Sequence, residues 1–353
     1  MPLGVVSIGG RRLGQHEPVL VVAEAGVNHD GDVNTALELV DAAAHAGAEV
    51  IKFQTFLPAA LAVEGAPLAS YQRDRLAHVS DQRGMLEGLC LSDEDWHTVA
   101  ARCERHGVLF LSTPFDLASA TLLERLGVSA FKVASGELTN LPFLHSLAQR
   151  QKPLIVSTGM ATIREVGDAV DVVRAQGTPL VLLHCVSAYP APPEQANVRA
   201  IVTLRTAFGV PVGYSDHCLG FDASLAAVAL GACLIERHLT LDRTSRGPDH
   251  GMSLQPDELR ELIRRVRATE ATLGDGRKAP QPAERDTRAI ARRSIVAARA
   301  IAAGETLTAD ALAIKRPGGG LDPARLAELL GTRLTRPLCQ DEQLTEAHLE
   351  LRT

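Results

Sequence analysis

The chain repeats one unit: a short apolar run with a polar end, a helix-sized segment, then a glycine. Glycine closes that segment in Ala46-Gly47-Ala48, His106-Gly107-Val108, Leu126-Gly127-Val128, Gln176-Gly177-Thr178, Phe208-Gly209-Val210 and Leu230-Gly231-Ala232. Glycine adopts a left-handed helix C-cap without a Cβ penalty, and a new strand can begin directly after it. One unit departs from the pattern, with polar Arg150-Gln151-Lys152 ahead of Pro153. Eight apolar runs follow this rhythm, at 19–25, 49–54, 108–113, 130–135, 154–158, 180–185, 210–215 and 234–239. They are near-continuous, as strands buried on both faces must be. Ile163, Val166, Val170 and Val173 fall on one face of an intervening helix, and Ser92 to Asp95 reads as a capping box. Eight such units within about 270 residues predict an α/β chain folded as a (β/α)8 TIM barrel. A doubly wound sheet is the alternative, but no GxGxxG follows the first strand.

The barrel domain is expected over 1–273. Residues 56–91 form an unusually long connection, and such loops are often functional lids. Residues 274–289, rich in Gly, Pro and charge, read as a linker. A second, smaller domain is expected over 290–353, with a strand-like start at Arg293-Ser294-Ile295-Val296-Ala297 and turns at Gly304 and Pro317-Gly318-Gly319-Gly320. A domain of about 64 residues has a marginal core alone, so docking onto another surface is expected.

Hydrophobic content of 46% suits a folded globular chain, and the net charge is -6, with no basic block. That argues against nucleic acid as a partner while leaving room for a small anion in a local positive pocket. None of the six cysteines forms a CxxC pair, so reduced thiols and a cytoplasmic location are expected. The N-terminus lacks the apolar stretch of a signal peptide, and no apolar run approaches membrane-spanning length, so no membrane partner is expected.

In a barrel of this kind, polar residues at the C-terminal strand ends mark the site. Nearly every strand supplies some: Glu24, Asn28 and His29; Lys52 and Gln54; Thr113; Lys132, Ser135 and Glu137; Ser157 and Thr158; His184, Ser187 and Tyr189; Ser215 and His217; Glu236 and His238. A lysine inside a barrel strand is rarely buried without a partner. Lys52 and Lys132 therefore read either as structural ion pairs with Glu24 or Glu137, or as two cations holding an anionic substrate. Hydroxyls of Ser135, Ser157 and Ser215, and backbone amides after Gly159, would suit phosphate oxygens. His217 and His238, each ending a strand, make a divalent-metal pair on one rim, with Asp249 and Glu236 as weaker ligands. No HExxH is present, which argues against a metalloprotease. Cys185 and Cys218 lie nearby, but His184 should point to the far side of its strand and cannot serve Cys185 as base.

The motifs Ala23-Glu24-Ala25-Gly26-Val27-Asn28-His29-Asp30-Gly31, Ile51-Lys52-Phe53-Gln54, Ser112-Thr113-Pro114-Phe115-Asp116 and Phe131 to Glu137 resemble those of sialic acid synthases. So do Ser157-Thr158-Gly159-Met160, His184 to Pro190, Gly213 to His217 and Glu236-Arg237-His238, in the family's order. Residues 290–353 resemble the family's SAF, or antifreeze-like, domain (a mostly-β β-clip), with Lys315-Arg316-Pro317-Gly318 as its turn. The resemblance spans essentially the whole chain. It implies a transferase that condenses phosphoenolpyruvate with an N-acetylated hexose such as N-acetylmannosamine, releasing phosphate and leaving a nine-carbon 2-keto acid. It further implies a divalent metal, manganese first and magnesium or cobalt next, on His217 and His238. Lys52, Lys132, Ser135, Ser157 and Ser215 are then expected to hold phosphoenolpyruvate, with Ser187 near its phosphate, Glu24, Gln54 and Tyr189 around the sugar, and Thr113 among the substrate contacts. Glu137 is expected to position or activate water. A domain-swapped homodimer is implied, with Arg316 reaching the neighbouring site.

Two departures bear on the sugar. Ser187 stands where many sialic acid synthases carry Asn, and Arg292-Arg293-Ser294 replaces an aromatic-containing segment that, in some members, contacts the sugar's N-acetyl group. Legionaminic, pseudaminic and spore-coat sugar synthases share the scaffold. A Schiff-base aldolase using Lys52 or Lys132, and a non-catalytic sugar- or ice-binding protein, are the competing classes.

Overall fold

A computed structural model describes residues 4–76 and 79–350 and divides the chain into two compact units, 1–274 and 275–353. The first opens with a hairpin, β1 (Val6–Ile8) and β2 (Arg11–Leu13). Eight parallel strands follow: β3 (Leu20–Gly26), β4 (Val50–Thr55), β5 (Leu109–Pro114), β6 (Phe131–Val133), β7 (Leu154–Ser157), β8 (Leu180–Cys185), β9 (Val212–Asp216) and β10 (Leu234–His238). Sequential strands are neighbours, and β10 pairs with β3 to bring the last beside the first. β5 and β6 pack together without a shared ladder, so the barrel is nearly closed. All eight expected runs thus become strands. The run 130–135 is cut short: the strand stops at Val133 and Ser135–Glu137 turns into a 3-10 helix.

The glycine punctuation acts as the repeat predicts. Gly47, Gly107, Gly127, Gly177, Gly209 and Gly231 all have positive φ. Ser92 and Asp95 form a reciprocal capping box at the start of helix Asp93–His106.

Period-two alternation sorts each strand into two faces. Outward residues such as Ala23, Ile51, Phe53, Phe131, Val133, Leu182 and Ile235 pack with the helices in the larger core. Inward residues near the strand starts, among them Leu20, Val22, Val50, Leu111, Ile155, Val181 and Leu234, fill the barrel with Val6, Ile8 and Leu13 of the hairpin. The hairpin therefore plugs the lower end, a role the sequence reading missed. Its signal was local: apolar alternation on either side of Gly9-Gly10, both with positive φ. The upper inward positions are polar, and they form the site.

Residues 56–91 carry three short helices, Pro58–Leu61, Ser70–Arg75 and Gln82–Glu87, around a small core of Val27, Phe56, Leu68, Met85, Leu86 and Leu89. In the second unit β11 (Ser294–Ala297) and β12 (Leu312–Lys315) pair antiparallel over Ile295, Ile301, Leu307, Leu334, Leu338 and Leu344. Helix Arg285–Ala291 occupies part of the stretch expected to be linker and belongs to this unit. Among the described residues, no helix is long and apolar enough to cross a membrane.

His29 is a correction. It lies beyond a bulge in β3, where the register slips between Glu24 and Gly26, so strand alternation no longer places its side chain. It is fully buried against Phe53 and Trp96, with ring centroids 6.2 and 5.9 Å away, and Nδ1 accepts from the Gly31 N–H at 3.2 Å. Burial lowers its pKa from 6.5 to about 4. Between those values the unfolded chain binds the extra proton and the folded one does not, so stability is lost as pH falls through that window. His29 alone is expected to account for up to about 3 kcal/mol of the loss from pH 7 to pH 4. Urea unfolding followed by fluorescence of Trp96, the single tryptophan, should show a shallower pH dependence for His29→Phe than for the wild type. Parallel pH profiles for the two proteins would remove His29 as the cause.

Candidate active site

The upper end of the barrel holds a cavity of about 450 Å3, a size suited to small-molecule substrates. Its floor is built from inward residues near the ends of all eight strands: Glu24, Lys52, Thr113, Lys132, Ser157, Cys185, Ser215, and both Glu236 and His238 from β10. Gln54, Ser135, Ser187, Tyr189 and His217 also line it. Leu61, Tyr71, Gln72, Met85 and Leu86 of the 56–91 segment contribute the opposite wall. That segment is tied down by Arg75, whose Nε donates to Gly247 O at 3.0 Å and whose guanidinium also meets Ser245 O. The loop it grips carries Asp249, another cavity residue.

Two buried lysines and two buried glutamates meet on the floor. Lys52 is paired with Glu24, lies 3.9 Å from Glu236 and donates to Thr113 Oγ1 at 3.1 Å. Lys132 donates to Ser157 Oγ at 2.7 Å and lies 3.8 Å from Glu236. Glu236 accepts from Ser215 Oγ at 2.9 Å. Lys132 therefore pairs with Glu236 and not with Glu137.

Environment separates the charges. Burial alone would lower the Lys52 pKa, but Glu236 and Glu24 outweigh it, so Lys52 is raised and stays cationic. Burial would raise Glu236, but Lys132 and Lys52 outweigh it, so Glu236 is lowered and stays anionic. Burial lowers Lys132, and Glu236 offsets this only in part. Glu24 goes the other way: burial raises it, Lys52 opposes, and the Glu236 charge pushes it further up. Burial also raises Asp249, to about 6. The protonatable carboxyls in the cavity are thus Glu24 and Asp249, whereas Glu236 is the fixed counter-charge.

Opposite the lysines lie His217 and His238, with ring centroids 5.6 Å apart. Burial lowers the pKa of both, so both imidazoles are neutral and able to ligate a metal. His217 Nδ1 is engaged by the Val186 carbonyl at 2.8 Å, which leaves Nε2 as the ligating nitrogen. His238 Nδ1 is buried without a hydrogen-bond partner, 3.8 Å from Asp249 Oδ2. Among the described residues no group of three or more His, Cys, Asp or Glu is arranged as a metal centre. Two neutral imidazoles, one with an orphaned nitrogen, nonetheless fit a divalent ion that takes its remaining ligands from substrate and water.

A third element packs closely around Gly159. Gly159 N–H donates to Ser135 Oγ at 2.9 Å, and Ser135 also meets Cys185 Sγ at 3.1 Å. A Cβ on Gly159 would lie 2.8 Å from Ser135 Oγ and 2.9 Å from Cys185 Sγ, and closer still to Ser187 Oγ. Only glycine lets the backbone come this close to the three side chains.

Glu137 does not join the cavity. It sits in the 3-10 turn after β6, where its carboxylate accepts from Asn140 Nδ2 at 2.7 Å. His184 points outward, bonded to Ala196 O at 2.9 Å and stacked on Tyr214. Asn28 is structural, donating to Leu239 O and Ser253 Oγ. Arg316 is exposed at the end of the β12 strand in the second unit. Glu236, expected as a polar strand end and a weaker metal ligand, instead serves the lysines. Its place in β10, two residues before His238, was the signal that it faces the lysines.

Comparison with known proteins adds to this geometry. Residues 39–278 match the NeuB family, and residues 292–350 match the SAF domain. The chain is 41% identical over 335 residues to N,N'-diacetyllegionaminic acid synthase from Legionella pneumophila, covering 94% of each. It is 33% identical over 356 residues to the Mus musculus N-acetylneuraminate-9-phosphate synthase, covering 99% of this chain and 98% of the other. The crystal structure of an N-acetylneuraminic acid synthetase from Leptospira borgpetersenii superposes with a TM-score of 0.72 at 34% identity, over 80% of this chain and 95% of the other.

Proposed function

The chain belongs to the NeuB family, and we propose that it condenses phosphoenolpyruvate with an N-acetylated amino sugar, giving a nine-carbon 2-keto acid and phosphate. The observation that carries this is the lining of the cavity: two lysines with Ser135 and Ser187 on one side, two neutral imidazoles on the other. Lys52, Lys132, Ser157 and Ser215 hold the anionic groups of phosphoenolpyruvate, with Ser135 and Ser187 around the phosphate. Gln54, Tyr189 and Thr113 complete the walls against which the sugar lies. His217 and His238 hold a divalent metal, manganese first, with magnesium and cobalt as alternatives. When bound, it supplies a Lewis acid toward the sugar's aldehyde oxygen.

Carbon 3 of phosphoenolpyruvate forms the new bond to the open-chain aldehyde carbon with the electron pair of its C2–C3 double bond, and the aldehyde C=O opens to an alkoxide that takes up a proton. Positive charge develops at carbon 2, where water adds, and the tetrahedral carbon then expels phosphate as its C–O bond breaks. Glu24 joins Glu137 as a carboxyl proposed to handle the water proton. It lines the cavity, and its raised pKa suits a group that gains and loses a proton near neutrality. Lys52, held as a cation by two carboxyls, is a poor Schiff-base amine; Lys132 is the better one, so the aldolase reading reduces to Lys132.

The acceptor is proposed to be N-acetylmannosamine-like. A second reading, an acceptor with two N-acetyl groups, is favoured by the higher identity to the legionaminic acid synthase than to the neuraminate-9-phosphate synthase, 41% against 33%. A panel of N-acetylated hexoses assayed for phosphate release should give activity that stops with chelator and returns with manganese. Release that survives thorough metal stripping counts against the metal, and no release with any acceptor counts against the reaction. We further propose a domain-swapped homodimer, with Arg316 serving the partner's site. Light scattering that gives a monomer at micromolar concentration would overturn it.

A further inference from the structure

The residues beside the two histidines do not line the cavity, yet they are among the most deeply buried charges in the chain. Asp216 ends β9 just before His217, and Arg237 precedes His238 on β10. The two stand opposite each other in the ladder, with Arg237 Nη1 2.7 Å from Asp216 Oδ2 and side chains 1% and 0% exposed. By strand alternation they point away from the cavity, into the layer between barrel and helices, while Glu236 and His238 point into it.

Their remaining bonds converge on the turn that carries His217. Asp216 Oδ1 accepts the Cys218 N–H at 2.9 Å, closing an Asx-type turn around His217. Asp216 Oδ2 also accepts from Ser224 Oγ at 2.5 Å, which anchors the turn to helix Asp222–Ala229. Arg237 Nη1 donates to Gly220 O at 2.9 Å, so the far end of the same turn is gripped from β10. One ion pair therefore ties the backbone of one histidine to the strand of the other.

Stability alone is a weak reason for such a pair, because well-packed apolar side chains usually serve as well or better. A fixed spacing between two ligating side chains is a stronger one. We propose that Asp216 and Arg237 are positioning residues: they set the separation of the two imidazoles and hence the affinity for a divalent metal. The inference rests on the proposed metal role of His217 and His238.

The test is calorimetric titration of the full-length, metal-free protein with manganese alone, with melting recorded on the same samples. Asp216→Leu combined with Arg237→Met removes both charges and keeps the volume, and is expected to fold. Its manganese Kd should rise by about 10- to 100-fold, the range typical of groups that orient a ligand. The KM for phosphoenolpyruvate should not change, since the lysine floor is untouched. Asp216→Asn combined with Arg237→Gln, which keeps the Asx turn while removing both charges, serves if the first double variant fails to fold, and should weaken manganese binding by a smaller factor. A folded variant with wild-type manganese affinity overturns the positioning role while leaving the metal reading intact. A wild type that binds no manganese overturns the metal reading and the positioning role with it.

Discussion

Replacing His217 and His238 together by alanine is expected to lower phosphate release by about a thousandfold or more, the several kcal/mol a Lewis acid contributes. The fold should persist. Both rings face a cavity, and neither is charged, so their removal strands no buried ion. The His217 ring gives up one bond to Val186 O, and the His238 Nδ1 has no hydrogen-bond partner to lose. Steady-state phosphate assays with added manganese, beside thermal melts, check both halves. A double variant that retains even a tenth of wild-type activity would show that the imidazoles are not ligands the reaction needs.

Lys52→Met should cost about as much, through electrostatics. The Lys52 ammonium faces Glu24, Glu236 and Thr113, and the proposed phosphoenolpyruvate lies against it. Losing one preorganised cation from a dry site typically costs about 100- to 1000-fold in rate. Removing one partner of a buried pair usually costs about 3 to 5 kcal/mol of stability as well. Here the loss should be smaller. Glu24 is already pushed toward its protonated form by burial and can take up a proton, while Glu236 keeps Lys132 at 3.8 Å. The variant should therefore fold, bind phosphoenolpyruvate weakly and turn over slowly. Lys52→Arg should not rescue it, since the fork of a guanidinium does not fit a site shaped for a compact ammonium. Kinetic constants within fivefold of wild type would remove Lys52 from the substrate contacts.

The same geometry shows which parts of the site could be read in advance. Lys52, Lys132, Ser157, Ser215 and His238 were legible because each sits on a regular strand, where burial and alternation leave one direction for the side chain. Glu137 was misplaced because β6 ends at Val133, and a 3-10 turn aims the residue at Asn140. His29 was misplaced because the bulge at Gly26 breaks the alternation ahead of it. Glu236 was undervalued because its partners, Lys52 and Lys132, lie far away in the chain. Arg75 was invisible for the same reason: its acceptors are about 170 residues away, in a loop with no periodicity of its own.

Sequence by itself determined the barrel and the band of polar residues at its upper end. The causes are local: a glycine ends each helix, apolar runs pair on both edges, and each strand carries its polar residue near its end. Tertiary structure alone decided how the charges balance. Glu236 lies beside two lysines, burial raises Glu24 to about 7 against the pull of Lys52, and the Asp216–Arg237 pair joins β9 to β10. Those outcomes depend on distances between strands and on the loss of water around them, and no spacing along the chain encodes either.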